Sequence, residues 1–475
     1  MTWEALIGLI MLLVLLGAIF IGVPISFTLL FLAFAFGYIG MGTTVFDLAY
    51  FQTIGLMKEE LLAAVPLFIF MGFITEQAGL MERLFTAFRL LFAPVRGALY
   101  IVVILTAAVF AMATGIVGAA VTVLGIMASP IMIKSGYDAR LSAGTITAGG
   151  TLGILIPPSV MLIVMGPVLG VSVADLYAAA FGPGFLLAGL YVLYLMGRSF
   201  INPKLGPPVP MEERVHSVGV MVREVLIGVV PLLGLITATL GSILAGLATP
   251  TEAAGIGTAG AIVLALLYGK FTLPSLQRAL NSTMATSSMV LLLAVTSNIF
   301  GAVFARLGTA NWITTTLLSF ELPPMLMLVM VLVLIFLLGW PFEWPAIILV
   351  FLPIFYPVVS ALKIDLVWFG ALVAVTLQTA FLSPPVAMSA YYLKQVVKEW
   401  SLATIYNGMF QFMILQVICI GLVITYPQIA LWFPETLQAA ARAQKIPEEH
   451  QKIIDQQKKN APSLEDDDWG RPTKK

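Results

Sequence analysis

Two proline pairs stand inside long uncharged runs of this sequence: Pro157-Pro158 in GGTLGILIPPSVM and Pro384-Pro385 in LQTAFLSPPVAM. Proline has no backbone N–H and disrupts a helix, so each pair frees carbonyl oxygens that lipid cannot satisfy. Such backbone persists where protein, water or an ion takes up the lone pairs. Gly149, Gly150 and Gly153 precede the first pair with Thr147 and Thr151, and Ser159 follows it. Gln378, Thr379 and Ser383 precede the second. Glycine lets backbone approach an ion closely, and neutral oxygens suit hard cations. The pairs mark a candidate ion or substrate site; the plain alternative is a kinked helix packed on its neighbours.

Other residues join this set by depth. Between residues 322 and 362 the only charge is Glu343, in GWPFEWP beside Gly339. A carboxylate at membrane depth either pairs with a cation or takes a proton, unless it lies at an aqueous interface. Trp340 and Trp344 there read as belt residues or as tip packing. The uncharged stretch 97–133 has a polar, glycine-bearing midpoint at Thr114, Gly115 and Gly118. Asn298 in TSNIFG reads equally as a helix interruption and as a helix-packing hydrogen bond. Glu252, after Thr-Pro, reads as part of a helix N-terminal cap. Catalytic motifs are missing: there is no Walker A, HExxH or nucleophile elbow, so the reading is of a protein that is not an enzyme. One cysteine, Cys419, and two histidines, His216 and His450 in polar segments, leave no disulfide and no thiolate or imidazole metal site.

The elements that position these residues follow from composition. The 475 residues are 60% hydrophobic and 10% charged, against about 25% charged in a soluble domain. So few charges cannot cover a water-facing surface, and the chain reads as an all-α polytopic membrane protein in a lipid bilayer. The net charge of zero gives no basis for a nucleic-acid partner. The apolar opening lacks a basic start and a cleavage site and reads as the first membrane helix. Spans of roughly 20 apolar residues are punctuated by charge. Residues 5–43 make two helices meeting near Pro24, and a span at about 62–79 precedes a basic loop with Arg83, Arg89 and Arg96. Residues 176–197 make a span, 198–224 a polar linker, and 225–245 and 253–269 two more spans. A short connection with Lys270 and Arg278 leads to spans at about 282–305, 367–394 and 404–433. Stretches 97–133 and 322–362 are too long for one crossing and too short for two comfortable ones, which fits hairpins that enter and leave on one side. Basic segments 80–98 and 198–224 place the cytoplasm, and alternation then puts both termini outside. The lysines of the tail argue against that for the C-terminus.

The proline pairs also reveal a repeat. An offset of 227 residues, from 157 to 384, also joins Asp138 to Asp365 and Pro130 to Pro357. The unit is span, long apolar stretch, proline-broken span, span. Five crossings separate the two starts, and an odd number inverts the second copy. Inverted repeats with broken helices belong to secondary transporters. The expected organisation is scaffold helices at 1–60 and a first repeat at 61–197, with a hairpin at about 97–133 and a broken helix at 141–174. A polar linker with scaffold helices follows at 198–281. The second repeat is at 282–433, with a hairpin at about 322–362 and a broken helix at 367–394. A polar tail, 434–475, is expected to be partly helical and partly disordered.

These motifs carry a family resemblance. GYDARLSAGTITAGGTLGILIPPSVMLIVMG, PLFIFMGFITEQAGL, LATPTEAAGIG and PIFYPVVSALKIDLVWFGALVAVTLQTAFLSPP resemble signatures of the large membrane subunit of TRAP (tripartite ATP-independent periplasmic) transporters. The similarity runs from about residue 5 to 430. It implies an elevator fold, with a scaffold and a transport domain bearing two re-entrant hairpins. It implies sodium-driven import of small organic acids with a small four-helix membrane subunit and a periplasmic substrate-binding protein, in a bacterial inner membrane. By resemblance, 149–159 and 379–385 fall on the family's broken helices, and 115–120 and 339–343 on its hairpin tips. Sodium is then expected at Gly115, Thr151, Gly339 and Thr379, with half-helix N-termini donating to the substrate anion. TGIVGAA replaces a serine-rich first tip, and Glu343 stands where many members have aspartate. These tips and LQTAFLSPP resemble the mannitol/chloroaromatic branch, whose relatives are associated with monocarboxylates and 2-oxo acids. Two other readings remain: a self-sufficient ion-coupled anion carrier of related fold, and a membrane scaffold or channel module without coupled transport.

Overall fold

The computed structural model describes residues 2–208, 218–384 and 387–440. His216, Pro385, His450 and the tail from residue 441 lie outside these residues, as do the side chains of Thr114 and Val218. Every regular element among the described residues is helical. Nine of these helices are long and apolar enough to cross a membrane, and a bent pair makes a tenth.

The first three helices are α1 (Trp3–Phe20), α2 (Ile25–Met41) and α3 (Thr44–Met57). Then α4 (Ala64–Gln77) and α5 (Leu80–Phe92) lead to a hairpin of α6 (Ala98–Thr114) and α7 (Val117–Lys134). Next, α8 (Ala139–Leu155) and α9 (Val160–Leu169) are two halves of one helix, bent by 45° at the cis Pro157-Pro158 peptide. α10 (Val173–Ile201) closes this unit. The middle segment holds α11 (Val218–Gly228), α12 (Val230–Ile236), α13 (Ser242–Leu244) and α14 (Pro250–Leu267). In the second unit α15 (Leu273–Arg306) and α16 (Thr309–Leu318) precede α17 (Pro324–Leu338). The returning arm is the helical run Trp344–Ala361, made of α18 (Trp344–Ala346), a π turn and α19 (Leu352–Ala361). Last come α20 (Leu366–Ala380), α21 (Met388–Val396) and α22 (Leu402–Thr425).

The two units use the same devices at matching places. Asp138 caps α8, its Oδ1 accepting from the N–H groups of Arg140 at 3.1 Å and Leu141 at 2.9 Å. Asp365 caps α20, its Oδ1 accepting from the Trp368 N–H at 2.8 Å. Each carboxylate satisfies first-turn donors that the helix itself cannot pair. Pro130 lies inside α7 and Pro357 inside α19. The α4–α5 and α15–α16 junctions each turn at a left-handed glycine, Gly79 (φ 69°) and Gly308 (φ 77°). The second half of each broken helix packs on the other unit's hairpin: α21 on α7, and α9 on the arm holding α18 and α19.

Close helix approach fixes the core. A Cβ on Gly144 of α8 would lie 2.6 Å from the Phe412 ring and 2.8 Å from the Gly408 carbonyl carbon in α22. Backbones touch there because neither residue has a side chain, the small-residue contact that substitutes for hydrophobic driving force in lipid. Large apolar side chains instead cover the outside of the first helices; Phe27, Phe31, Tyr50 and Phe51 are exposed.

Several boundaries differ from the reading by charge. Arg96 lies in the turn that follows helix α5, whereas Arg83 and Arg89 lie not in a loop but in α5 itself, which buries Leu80, Met81, Leu84, Phe85 and Ala87. Its charges mark a solvated face, not a break in the helix. α3 and α16 are short helices that the span count passed over, because both are too short and too polar to read as crossings. Arg278 belongs to α15, which begins at Leu273 under a Thr272 cap; only Lys270 lies in the connection. The last span ends at Thr425, and a further helix occupies 428–440. Glu252 takes its expected place: its Oε2 accepts from the Thr249 N–H at 2.8 Å, and Thr249 Oγ1 accepts from the Glu252 N–H at 3.3 Å.

Candidate functional site

Each proline pair strips a donor from a carbonyl four residues earlier. Pro157 leaves the Gly153 carbonyl without its helical partner, and Pro384 does the same to Ala380, at the 227-residue offset. The next orphan in the first copy, Ile154, accepts instead from Ser159 Oγ at 2.5 Å. In the second copy Ser383 Oγ donates to the Thr379 carbonyl at 2.7 Å. The two serines brace the broken ends.

The hairpin tips lie against these breaks. Gly115 has a left-handed backbone (φ 61°), and a Cβ there would lie 3.7 Å from the Pro158 oxygen and 3.8 Å from the Gly153 oxygen. Gly339 sits on Ala380, where a Cβ would meet the Ala380 Cβ at 2.8 Å. Gly150 holds α8 against α7 by the same means, its missing Cβ facing the Val121 nitrogen at 3.1 Å. Thr151 and Thr379 are fully buried and donate to the carbonyls of Ala148 (2.9 Å) and Thr376 (2.6 Å). With its proton committed to the helix, each hydroxyl offers only lone pairs elsewhere. Gln378 is also fully buried; its amide Nε2 donates to the Ala374 carbonyl at 3.5 Å and its Oε1 has no partner among the described residues. Orphaned carbonyls with neutral hydroxyl and amide oxygens form a donor set that suits a hard monovalent cation.

A cavity of about 200 Å³ gathers the pieces. Gly115, Ile116, Val117 and Gly118 enter it from the first tip, and Glu343 and Trp344 from the second. Ile154 and Val160 flank the first break, and Phe381, Met388 and Tyr392 the second. α4 adds Ile69, and α15 adds Thr286, Met289 and Val290. The first residues of four helical segments, Val117, Val160, Trp344 and Met388, thus line one space. None of the four has a side-chain cap: Ile116, Ser159, Glu343 and Ala387 make no capping hydrogen bond. Uncapped N-termini present free N–H groups and the positive end of the helix dipole. Four such ends around one space are an arrangement whose chemistry suits an anion. Among the described residues the lining holds one carboxylate and no Lys, Arg or His.

Of the residues expected from sequence, Gly115, Gly118 and Glu343 line the cavity directly. Gly150, Thr151, Gly153, Pro157, Pro158 and Ser159 are buried around the first break, and Gln378, Thr379, Ser383 and Gly339 around the second. Pro384 is exposed at the second turn. Pro385 and the Thr114 side chain are outside the described residues. Asn298 does not belong to the set. α15 runs unbroken past it, and its Nδ2 donates to the Gln52 carbonyl of α3 at 3.1 Å. The interruption reading gives way to the packing one, because no proline there removes a backbone donor. Sequence reasoning missed Thr286 and Tyr392. The run NSTMATSS in an otherwise apolar helix was the available signal for Thr286.

Comparison with known proteins agrees with this architecture. A family model described as "Tripartite ATP-independent periplasmic transporter, DctM component" matches residues 9–429. The sialic acid TRAP transporter large permease protein SiaM of Vibrio cholerae is 30% identical, over 88% of this chain and 96% of its own. The C4-dicarboxylate TRAP transporter large permease protein DctM of Pseudomonas aeruginosa is 30% identical, over 79% and 86%. Among solved structures, the YdaH transporter of Alcanivorax borkumensis superposes with a TM-score of 0.60 at 17% identity, covering 82% of this chain and 89% of that one. That last likeness concerns the fold alone.

Proposed function

The chain belongs to the DctM family of tripartite ATP-independent periplasmic transporters, as a large membrane subunit, and from that premise we propose that it moves small organic-acid anions across a bacterial inner membrane in symport with sodium. The observation that carries this reading is the convergence of four uncapped helix N-termini, two from each repeat, on one cavity. Broken helices meeting near a repeat interface are the usual substrate site of secondary transporters. First-turn N–H groups of the helical segments that begin at residues 117, 160, 344 and 388 bind the carboxylate. Sodium, a co-substrate, is held next to the breaks by the carbonyls of Gly153 and Ala380 and the oxygens of Thr151 and Thr379, with Gly115 and Gly339 closing over it. Each ion draws a tip and its break together, which completes the anion site. Ordered binding of this kind couples the two gradients, because a closed, loaded site is the state that moves.

The mostly apolar walls and small volume suit a compact monocarboxylate or 2-oxo acid. Repeats 61–197 and 282–433 form the moving unit, sliding against the helices of 1–60 and 198–281. A small membrane subunit covers part of the exposed apolar surface of α1–α3, and a periplasmic binding protein delivers the substrate. The test is uptake of labelled 2-oxo acids into proteoliposomes holding the chain, its small subunit and the binding protein, with and without an inward sodium gradient. Uptake that needs all three proteins and sodium is the expected result. Uptake by the chain alone points to a self-sufficient carrier, and uptake indifferent to sodium removes the coupling assignment.

A further inference from the structure

The helix ends provide for a carboxylate with backbone donors alone, which leaves the side-chain hydroxyls of the lining to read the rest of the substrate. There are two among the described residues, Thr286 on α15 and Tyr392 on α21. Only Tyr392 stands at one of the helix ends. A Cβ on Gly118, the second residue of α7, would lie 3.1 Å from Cζ of its ring, the atom that bears the hydroxyl, and 3.3 Å from both Cε atoms. The missing side chain thus seats the phenol beside the uncapped first turn of α7. Among the described residues Tyr392 Oη donates only to Met388 Sδ, at 3.6 Å. A thioether is a weak acceptor, so an oxygen on a ligand displaces it readily. Resting on the anion-site reading above, we propose that the Tyr392 hydroxyl is the specificity-determining donor that holds an oxygen on the substrate's second carbon, and so selects 2-oxo acids over unsubstituted monocarboxylates.

Position and energetics support this. The second carbon is bonded directly to the carboxylate, so a donor flanking the α7 first turn meets a substituent there before any further along the chain. The walls around it, among them Ile116, Ile154, Val160 and Val290, are apolar. In such a pocket a few placed polar groups decide orientation and specificity. An unsubstituted acid closed into the cavity leaves the phenol O–H with the thioether alone, whereas an oxygen on the second carbon gives it a full acceptor. Gaining that hydrogen bond and relieving an unpaired buried donor together favour the oxygen-bearing acid by roughly tenfold or more. Both kinds of acid carry one negative charge, so the state of Glu343 is common to them and leaves the difference in place.

2-Oxobutyrate and butyrate have the same chain and the same charge and differ in the oxygen on the second carbon, which isolates the effect. Each is titrated into the purified full chain in sodium buffer, and apparent Kd is read from the rise in unfolding temperature. The wild-type chain is expected to prefer 2-oxobutyrate by roughly tenfold or more. Tyr392→Phe keeps the ring on Gly118, removes the hydroxyl, and is expected to bring the ratio within about threefold. Gly118→Ala displaces the ring without touching the hydroxyl and is expected to lower the ratio as well, an independent check on the same contact. A wild-type ratio near one overturns the proposal without any variant. So does a preference that survives in Tyr392→Phe, including the case where both acids weaken alike, because the hydroxyl then serves the carboxylate or the packing. Stabilisation by neither acid overturns the proposal together with the anion-site reading beneath it, whereas equal stabilisation by both overturns the proposal alone.

Discussion

Gly115 offers a clean separation of backbone strain from packing. Its φ of 61° lies where an L-residue is strained, yet a Cβ there would meet nothing nearer than 3.7 Å. Gly115→Ala therefore adds ordinary van der Waals contact and pays only the conformational term, about 1–2 kcal/mol. Gly308 is the matched control: its φ is 77°, a Cβ would meet nothing within 4 Å, and it joins α15 to α16 away from the cavity. Both variants are expected to lose about the same global stability. They diverge in function, because at Gly115 the strain falls on the tip that aims the α7 N-terminus at the substrate. A bias of about 1.4 kcal/mol against the closed tip weakens apparent sodium and substrate affinity about tenfold. The assay is sodium-dependent uptake in proteoliposomes, run beside thermal unfolding of both variants. Equal losses of uptake in the two variants, or an unchanged sodium response in Gly115→Ala, would refute the role given to the tip.

Thr151→Val and Thr379→Val keep side-chain shape and remove the oxygen; each is expected to raise the sodium concentration for half-maximal uptake by several-fold, and an unchanged value in both sinks the assignment. In Gly118→Ala the new Cβ would stand 3.1 Å from the Tyr392 ring. The ring must shift within the cavity wall, so substrate KM should rise while stability falls by about 1 kcal/mol; a KM equal to wild type counts against the cavity. Asn298→Ala removes the hydrogen bond to the Gln52 carbonyl and should lower unfolding stability by about 1 kcal/mol with sodium dependence intact. Altered sodium dependence there would return Asn298 to the site.

Sequence by itself determined the features that arise from local chemistry. Sparse charge fixed a polytopic membrane protein. Proline's missing N–H marked both helix breaks and the carbonyls of Gly153 and Ala380 that they orphan. The 227-residue offset located two units, and Asp138 and Asp365 at that spacing cap the helices that break. Local rules misled where a helix is amphipathic, since in α5 charge marked one face of a continuous helix. Only the tertiary structure decided which residues share a space. Gly339 reaches Ala380, and Tyr392 of the last broken helix reaches Gly118 of the first hairpin. Thr286 joins them from a helix with no motif of its own. These meetings depend on close approach between segments far apart in the chain, set by where small residues let backbones touch. The pairing that turned Asn298 from a site residue into a packing bond to Gln52 is of the same long-range kind. So is the convergence of four helix N-termini, because each end is an ordinary unpaired terminus in sequence and only packing aims all four at one cavity.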